Sequence, residues 1–231
     1  MSLADAPRVL RRLNWHGYSP CRSCSVFLLL VFLIITPAVH GQAQLRPTNE
    51  AALQPDFHAF QVWLQSAIAR RDSQALLSIV ANDIRNSFGD EDGIANFRSM
   101  WTPGKPRSTI WKELGSALAL GGSFEGRRFV APYVHSRWPV EVDPFSNAAL
   151  IETKVAVHAQ PRTGSAVIAS LDFAIVPLLE HPSVPQAWTA IRIDGRVGYV
   201  RSSQIRSPLS YRAVFERIDD RWQMVAFIAG D

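Results

Sequence analysis

Cysteine is scarce in this 231-residue sequence, and its two occurrences lie close together near the start. Cys21 and Cys24 form a Cys-x-x-Cys pattern. A zinc site on such a pair needs a second pair of ligands, and a redox site needs a surrounding strand-turn-helix, neither of which the sequence offers here. Because residues 44–231 hold no cysteine, that part must fold without disulfides. The sequence therefore predicts no metal site and no cofactor.

Familiar catalytic motifs are also missing. The sequence has no His-Glu-x-x-His zinc motif, no Gly-x-Ser-x-Gly nucleophile elbow and no Gly-rich phosphate-binding loop. The histidines after residue 43 are separated from one another by more than twenty residues; they are His58, His135, His158 and His181. We accordingly predict no catalytic residues and expect a protein that is not an enzyme.

The one long apolar run is too short for a stable membrane anchor. It covers ten residues, Val26 to Ile35, whereas a spanning helix needs about 20. Arginines precede the run, and small residues follow it at Gly41 and Ala43. This order is typical of a secretory signal peptide, so residues 1–43 are predicted to engage the membrane only during export, with cleavage after residue 41 or 43. The alternative is a protein anchored by an uncleaved N-terminal helix.

A strong excess of charge is absent once the leader is set aside. The whole chain carries 24 Lys+Arg and 20 Asp+Glu, a net charge of +4. Four of the basic residues and one acidic residue lie in residues 1–43, which leaves 20 and 19. Such a balance does not favour nucleic acid as a partner. We expect a periplasmic or secreted location.

The first half of the remaining chain is dominated by helical periodicity. Residues 44–56 are polar and turn-rich and are interpreted as a tether, followed by a helical α+β region at 57–145. Apolar residues recur there at spacings of three and four, with a break at Asp72 and Ser73, either of which can cap a second helix. Asp92 and Ser108 are predicted to cap two further helices, and Phe124 to Val134 reads as extended chain.

From Ala149 the pattern becomes that of β-strands. Alternating apolar runs flank Asp194-Gly195, which predicts a tight hairpin because glycine accepts the positive φ of such turns. A second hairpin is predicted at 210–231, with its turn at Asp219-Asp220 and apolar faces that fit the helical region.

Part of this β region resembles the bacterial Src-homology-3-like domain. The resemblance covers residues 149–206 and rests on Val155 to Pro161, Val167 to Leu171, Trp188 to Ile191, Asp194-Gly195-Arg196 and Gly198-Tyr199-Val200. It implies a small barrel, here bounded as 146–209, that binds peptidoglycan or peptides, or only packs beside another domain. Trp188 and Tyr199 are the candidate ligand-binding residues, near the Pro182 to Pro185 loop, with packing in the barrel as their alternative role.

The expected fold class is therefore α+β, with a helical N-terminal half, a small Src-homology-3-like β-barrel and a C-terminal β-hairpin. The expected function is that of an exported, non-catalytic protein whose barrel binds peptidoglycan or an envelope protein. The alternative is a cell-wall-processing hydrolase or accessory protein with a pocket in the N-terminal half.

Overall fold

A computed structural model describes residues 42–180 and 183–230, all of which belong to one compact unit. The helices of these residues are α1 (Pro55–Ala69), α2 (Ser73–Ser78), α3 (Ile94–Trp101), α4 (Ile110–Ala119) and α5 (Tyr133–Ser136). Two short 3-10 turns cover Glu50–Leu53 and Ser202–Gln204.

The strands of the described residues form three sheets. They are β1 (Val80–Arg85), β2 (Ser123–Glu125), β3 (Arg128–Ala131), β4 (Asn147–Leu150), β5 (Val155–His158), β6 (Val167–Leu171), β7 (Ile175–Pro177), β8 (Trp188–Ile193), β9 (Arg196–Arg201), β10 (Ile205–Arg206), β11 (Arg212–Ile218) and β12 (Arg221–Ile228). The sheet orders are β1-β12-β11-β3-β2, β10-β4-β7 and β6-β5-β9-β8. Only the β1–β12 pairing is parallel.

Several local features follow directly from side-chain chemistry. The carboxylate of Asp72 accepts a hydrogen bond from the backbone N–H of Ala75 at 3.0 Å, which confirms the predicted cap of α2. The β8–β9 hairpin turns at Asp194 (φ 47°) and Gly195 (φ 73°), as predicted. Asp219 (φ 46°) and Asp220 (φ 60°) form the turn between β11 and β12. Two consecutive positive φ values match the right-handed twist of the flanking strands.

The other two predicted caps are wrong because different hydrogen bonds compete for those side chains. The carboxylate of Asp92 accepts from the N–H of Asn86 at 2.9 Å, and Gly93 is the residue before α3. The Ser108 hydroxyl donates to the carbonyl of Trp101 at 2.6 Å, and Thr109 precedes α4 without a capping side chain. Short polar side chains readily form such hydrogen bonds with nearby backbone groups.

We call α1–α4 together with the five-stranded sheet the helix-sheet region. Its sheet combines strands from both ends of the described chain, because β11 and β12 lie between β1 and β3. The core between helices and sheet is rich in aromatic rings. Fully buried Phe57 on α1 lies 4.3 Å from the Phe129 ring, 4.7 Å from Trp222 and 6.0 Å from Phe215, centroid to centroid. The C-terminal hairpin is thus packed on α1.

We call residues 147–206 the two-sheet region. Its core is aliphatic and is shared by the three-stranded and four-stranded sheets; the buried members are Leu150, Val155, Val157, Ala174, Val176, Ile191, Ile193 and Val200. The two sheets touch through an isolated bridge between Leu178 and Ile191. The bridge joins the end of β7 to β8, an edge strand of the four-stranded sheet.

The predicted fold class, a helical N-terminal half followed by a Src-homology-3-like β-barrel, is wrong. The fold is mostly β, and none of the three sheets in the described residues closes into a barrel. Closure of the four-stranded sheet would require its edge strands β6 and β8 to pair, and the described residues show no pairing between them. The N-terminal half is not helical either, because β1, β2 and β3 lie within it.

The segment interpreted as a tether is attached to the two-sheet region at its start. The backbone carbonyl of Ala43 accepts a hydrogen bond from the N–H of Ile175, and the N–H of Leu45 donates to the carbonyl of Phe173, both at 2.8 Å. Leu45 is only 6% exposed. Further along, the Glu50 N–H donates to the carbonyl of Gly122 at 2.9 Å. Backbone pairing and burial, rather than composition, fix this segment in place.

Several expectations concern residues outside those described. They include the leader up to residue 41, with Cys21 and Cys24, as well as His181 and Pro182. Within residues 42–180 and 183–230, no helix is both long enough and apolar enough to cross a membrane.

Candidate functional site

The two residues predicted to bind ligand lie on neighbouring strands of the four-stranded sheet. Trp188 begins β8 and is only 7% exposed. The Arg201 guanidinium lies 4.3 Å from its ring centroid, and the His158 ring meets it edge-on at 5.1 Å. Tyr199 lies on β9 opposite Ala190 and is half-buried. The Trp188 ring is thus covered by its own neighbours, which leaves little aromatic surface for a ligand.

A larger aromatic surface lies in the helix-sheet region, in a groove of about 670 Å³ beside α1. We call it the α1 groove. The side chains that matter for its chemistry are Asp56, Phe60, Trp63, Arg217, Trp222 and Gln223. Trp63 is 41% exposed, an unusual position for so large an apolar ring.

Helical spacing brings one wall of the groove together. Asp56, Phe60 and Trp63 stand at positions i, i+4 and i+7 of α1, so they share one face of the helix. The Phe60 ring is 6.1 Å from Trp63 and 5.6 Å from Phe215. The row of rings therefore runs from the buried core outward to Trp63.

The C-terminal hairpin supplies the opposite wall. Arg217 and Trp222 are directly opposite each other across β11 and β12, which places both side chains on one face of the sheet. The Trp222 indole N–H and the Arg217 guanidinium both donate to Asp56 Oδ2, each at 3.1 Å. Arg217 also lies 3.3 Å from a carboxylate oxygen of Asp220.

These charged contacts orient side chains more than they stabilise the fold. Asp56 and Arg217 are each about half exposed, and exposed ion pairs contribute little to stability. Their shared bonds do fix the edge of the Trp222 ring against α1. The groove therefore offers flat aromatic faces beside fixed carboxylate, guanidinium and amide groups, a combination suited to sugar rings or peptide groups.

The side chains around the α1 groove do not suggest metal or thiol chemistry. In the part of the chain that the structure describes, no group of three or more His, Cys, Asp or Glu residues is placed to hold a metal ion. Of the described histidines, His135 and His158 contact the carbonyls of Pro208 and Ser165, both away from the groove.

Sequence reasoning missed this groove, although it noted the apolar positions of α1. It used the spacing of Phe60 and Trp63 only to predict a helix and did not identify which face of that helix is exposed. The sequence gives no clear signal for the groove: Asp56 lies on the same face, but an acidic residue is favoured in the first turn of any helix.

Comparisons with known proteins add no family to this description. The chain matches no family model, and no curated protein matches it at a significant level.

Proposed function

We propose that this chain is an exported, non-catalytic protein that binds a component of the cell envelope, peptidoglycan or peptide, in the α1 groove. The observation that carries the proposal is the exposed Trp63 ring beside Phe60 and the Asp56–Arg217–Trp222 contacts. Aromatic faces next to fixed polar groups are the usual means of holding a sugar face or a peptide. In this proposal the ligand binds in the α1 groove and not in the barrel that was expected from the sequence.

The test is sedimentation of the purified protein with insoluble peptidoglycan. The wild type should co-sediment, and Trp63→Ala should lose about tenfold or more in affinity, since removal of a central aromatic ring commonly costs over 1.4 kcal/mol. Val62→Ala is the matched control, because Val62 is exposed on the same helix but does not line the groove. No binding by the wild type, or equal loss in both variants, would contradict the proposal.

The same samples separate binding from hydrolysis. The alternative function, a cell-wall-processing hydrolase or accessory protein, places its pocket in the same half of the chain. A hydrolase would release soluble sugar or peptide fragments from peptidoglycan over time, whereas a binding protein would sediment with intact material. Fragment release that is abolished by Asp56→Asn would favour the hydrolase.

Export is the second part of the proposal, and the fold favours one of the two cleavage positions. Cleavage after residue 43 would take away the Ala43 carbonyl that accepts from Ile175, whereas cleavage after Gly41 would keep it. A buried N–H that loses its partner costs about 1–3 kcal/mol. Mass spectrometry of the protein from its producing cell should find Gln42 at the N-terminus; an intact leader in the membrane fraction would contradict export.

A further inference from the structure

A second cleft, separate from the α1 groove, lies where α4 meets the end of the two-sheet region. Its volume is about 640 Å³. The residues used below are Glu113 and Ser116 of α4, Ser203, Arg206, Ser207 and Ser210. We call it the serine-arginine cleft, since hydroxyl groups surround a single largely buried guanidinium.

Arg206 is the unusual member of this cleft. One of its terminal nitrogens donates to the carbonyl of Tyr211 at 2.7 Å, whereas its Nε is buried without a hydrogen-bond partner. Among the described residues it forms no ion pair. Burial lowers the pKa of Arg206, and the charge of Glu113 only partly offsets this effect. A guanidinium taken out of water without a paired carboxylate is costly, and an anionic partner would relieve that cost.

The surrounding groups could serve the same anion. The Ser207 hydroxyl oxygen accepts from the N–H of Leu209 at 3.1 Å, which leaves its hydrogen available to an acceptor. Ser116, Ser203 and Ser210 add further hydroxyl donors to the lining. Lys112 stands at the rim with its side chain 82% exposed, and its ammonium lies 4.0 Å from a Glu113 carboxylate oxygen. These two charges offset each other, so Arg206 supplies the net positive charge of the cleft.

We propose that the serine-arginine cleft binds the oxyanion of a small ligand, a carboxylate or a phosphate, held by Arg206 and the serine hydroxyls. The guanidinium presents its N–H groups in a planar fork that fits two oxygens of one anion. A cleft of this volume admits more than the anionic group alone, so the ligand includes a neighbouring portion of peptide or sugar size. This site does not depend on the α1 groove.

The experiment follows the Nε–H signals of arginine by NMR in the full mature protein. The probes are acetyl-alanyl-alanine, the same dipeptide with an amidated C-terminus, and inorganic phosphate. The acid should shift the Arg206 signal in a saturable way, and the amide should not. A saturable shift of the Arg206 signal with phosphate, and none with the acid, would assign the anion as a phosphate group. No shift with either anion, or equal shifts with acid and amide, would overturn the proposal.

Variants separate anion binding from a structural role. Arg206→Lys keeps the charge but loses the fork, so its affinity, followed at the backbone N–H signal of Ser207 because the Arg206 signal is absent, should fall about tenfold, the loss expected for one charge-assisted hydrogen bond. Ser116→Ala is the second variant, since it removes a hydroxyl without changing the buried charge, and it should weaken anion binding several-fold. Arg196→Gln, an exposed arginine outside the cleft, is the matched control and should bind as the wild type. Unchanged affinity in both cleft variants would contradict the site.

Discussion

The helix-sheet region and the two-sheet region bury different kinds of side chain. The first packs rings of Phe57, Phe129, Phe215 and Trp222 between α1 and the five-stranded sheet. The core cluster of the second is aliphatic, and its tryptophan, Trp188, is buried outside that cluster under Arg201. In the helix-sheet region the row of rings continues from the core to the exposed Trp63. This difference between the two regions is the basis for proposing the α1 groove as the binding site.

The largest expected effect is the loss of the central ring in the aromatic core. Phe57→Ala should lower the free energy of unfolding by about 3–5 kcal/mol, because this ring is fully buried among five other aromatic rings and leaves a cavity. Val157→Ala in the aliphatic core should cost about 2 kcal/mol, since fewer buried carbons are removed. Denaturant unfolding measures both. Equal losses would remove the energetic distinction between the two cores.

A smaller effect tests the turn on which the two-sheet region depends. Gly195→Val should destabilise the protein by about 1–2 kcal/mol, because Gly195 has a φ of +73° that a β-branched residue resists. Gly104→Val is the control: this glycine has open space around it and no positive φ. Thermal melting should show a lower Tm only for Gly195→Val. An unchanged Tm for that variant would argue against the turn geometry.

The smallest effect concerns Tyr133, which packs with Leu45, Ala149 and Ile175 beside the two-sheet region. Its hydroxyl is buried without a hydrogen-bond partner, so Tyr133→Phe should stabilise the protein by about 1 kcal/mol. Burial raises the pKa of Tyr133 to about 12 from its usual value of 10.0. The unfolded chain therefore ionises first, and wild-type stability should fall as pH rises from about 10 to about 12.

Denaturant titrations at several alkaline pH values check this prediction. Tyr133→Phe should remove that part of the alkaline decline, while other tyrosines still contribute theirs. A decline of the same size in both proteins would mean that the Tyr133 hydroxyl ionises as readily in the folded state as in the unfolded chain.

How far the sequence predicts this structure depends on whether a feature is local. The cap at Asp72 and the turns at Asp194-Gly195 and Asp219-Asp220 follow from the residues themselves. The parallel pairing of Val80 with Met224 cannot be predicted in this way, because nothing in either segment selects a partner so distant in the chain. The closed barrel was implied by the resemblance of residues 149–206, and it is wrong because the strands at the two edges of the four-stranded sheet do not pair in the described residues.

The candidate site also could not be predicted in full from the sequence, because it depends on contacts between segments that are distant in the chain. Trp188 and Tyr199 were chosen because aromatic residues near a loop are common in binding sites, yet Arg201 and His158 cover the Trp188 ring. The spacing of Phe60 and Trp63 predicts a helix, but it does not predict that Trp63 is exposed beside the hairpin that forms the far wall. That wall comes from residues 217–223. The apolar faces of the hairpin predict that it packs on the helical region, but they do not predict the contacts of Arg217 and Trp222 with Asp56 that shape the groove.

One NMR measurement tests the central claim most directly. The indole N–H signals of Trp63 and Trp188 are followed while soluble peptidoglycan fragments are added to the mature protein. The account predicts a saturable shift of the Trp63 signal, with the Trp188 signal unchanged. A shift of Trp188 without one at Trp63 would place binding in the two-sheet region and contradict the account.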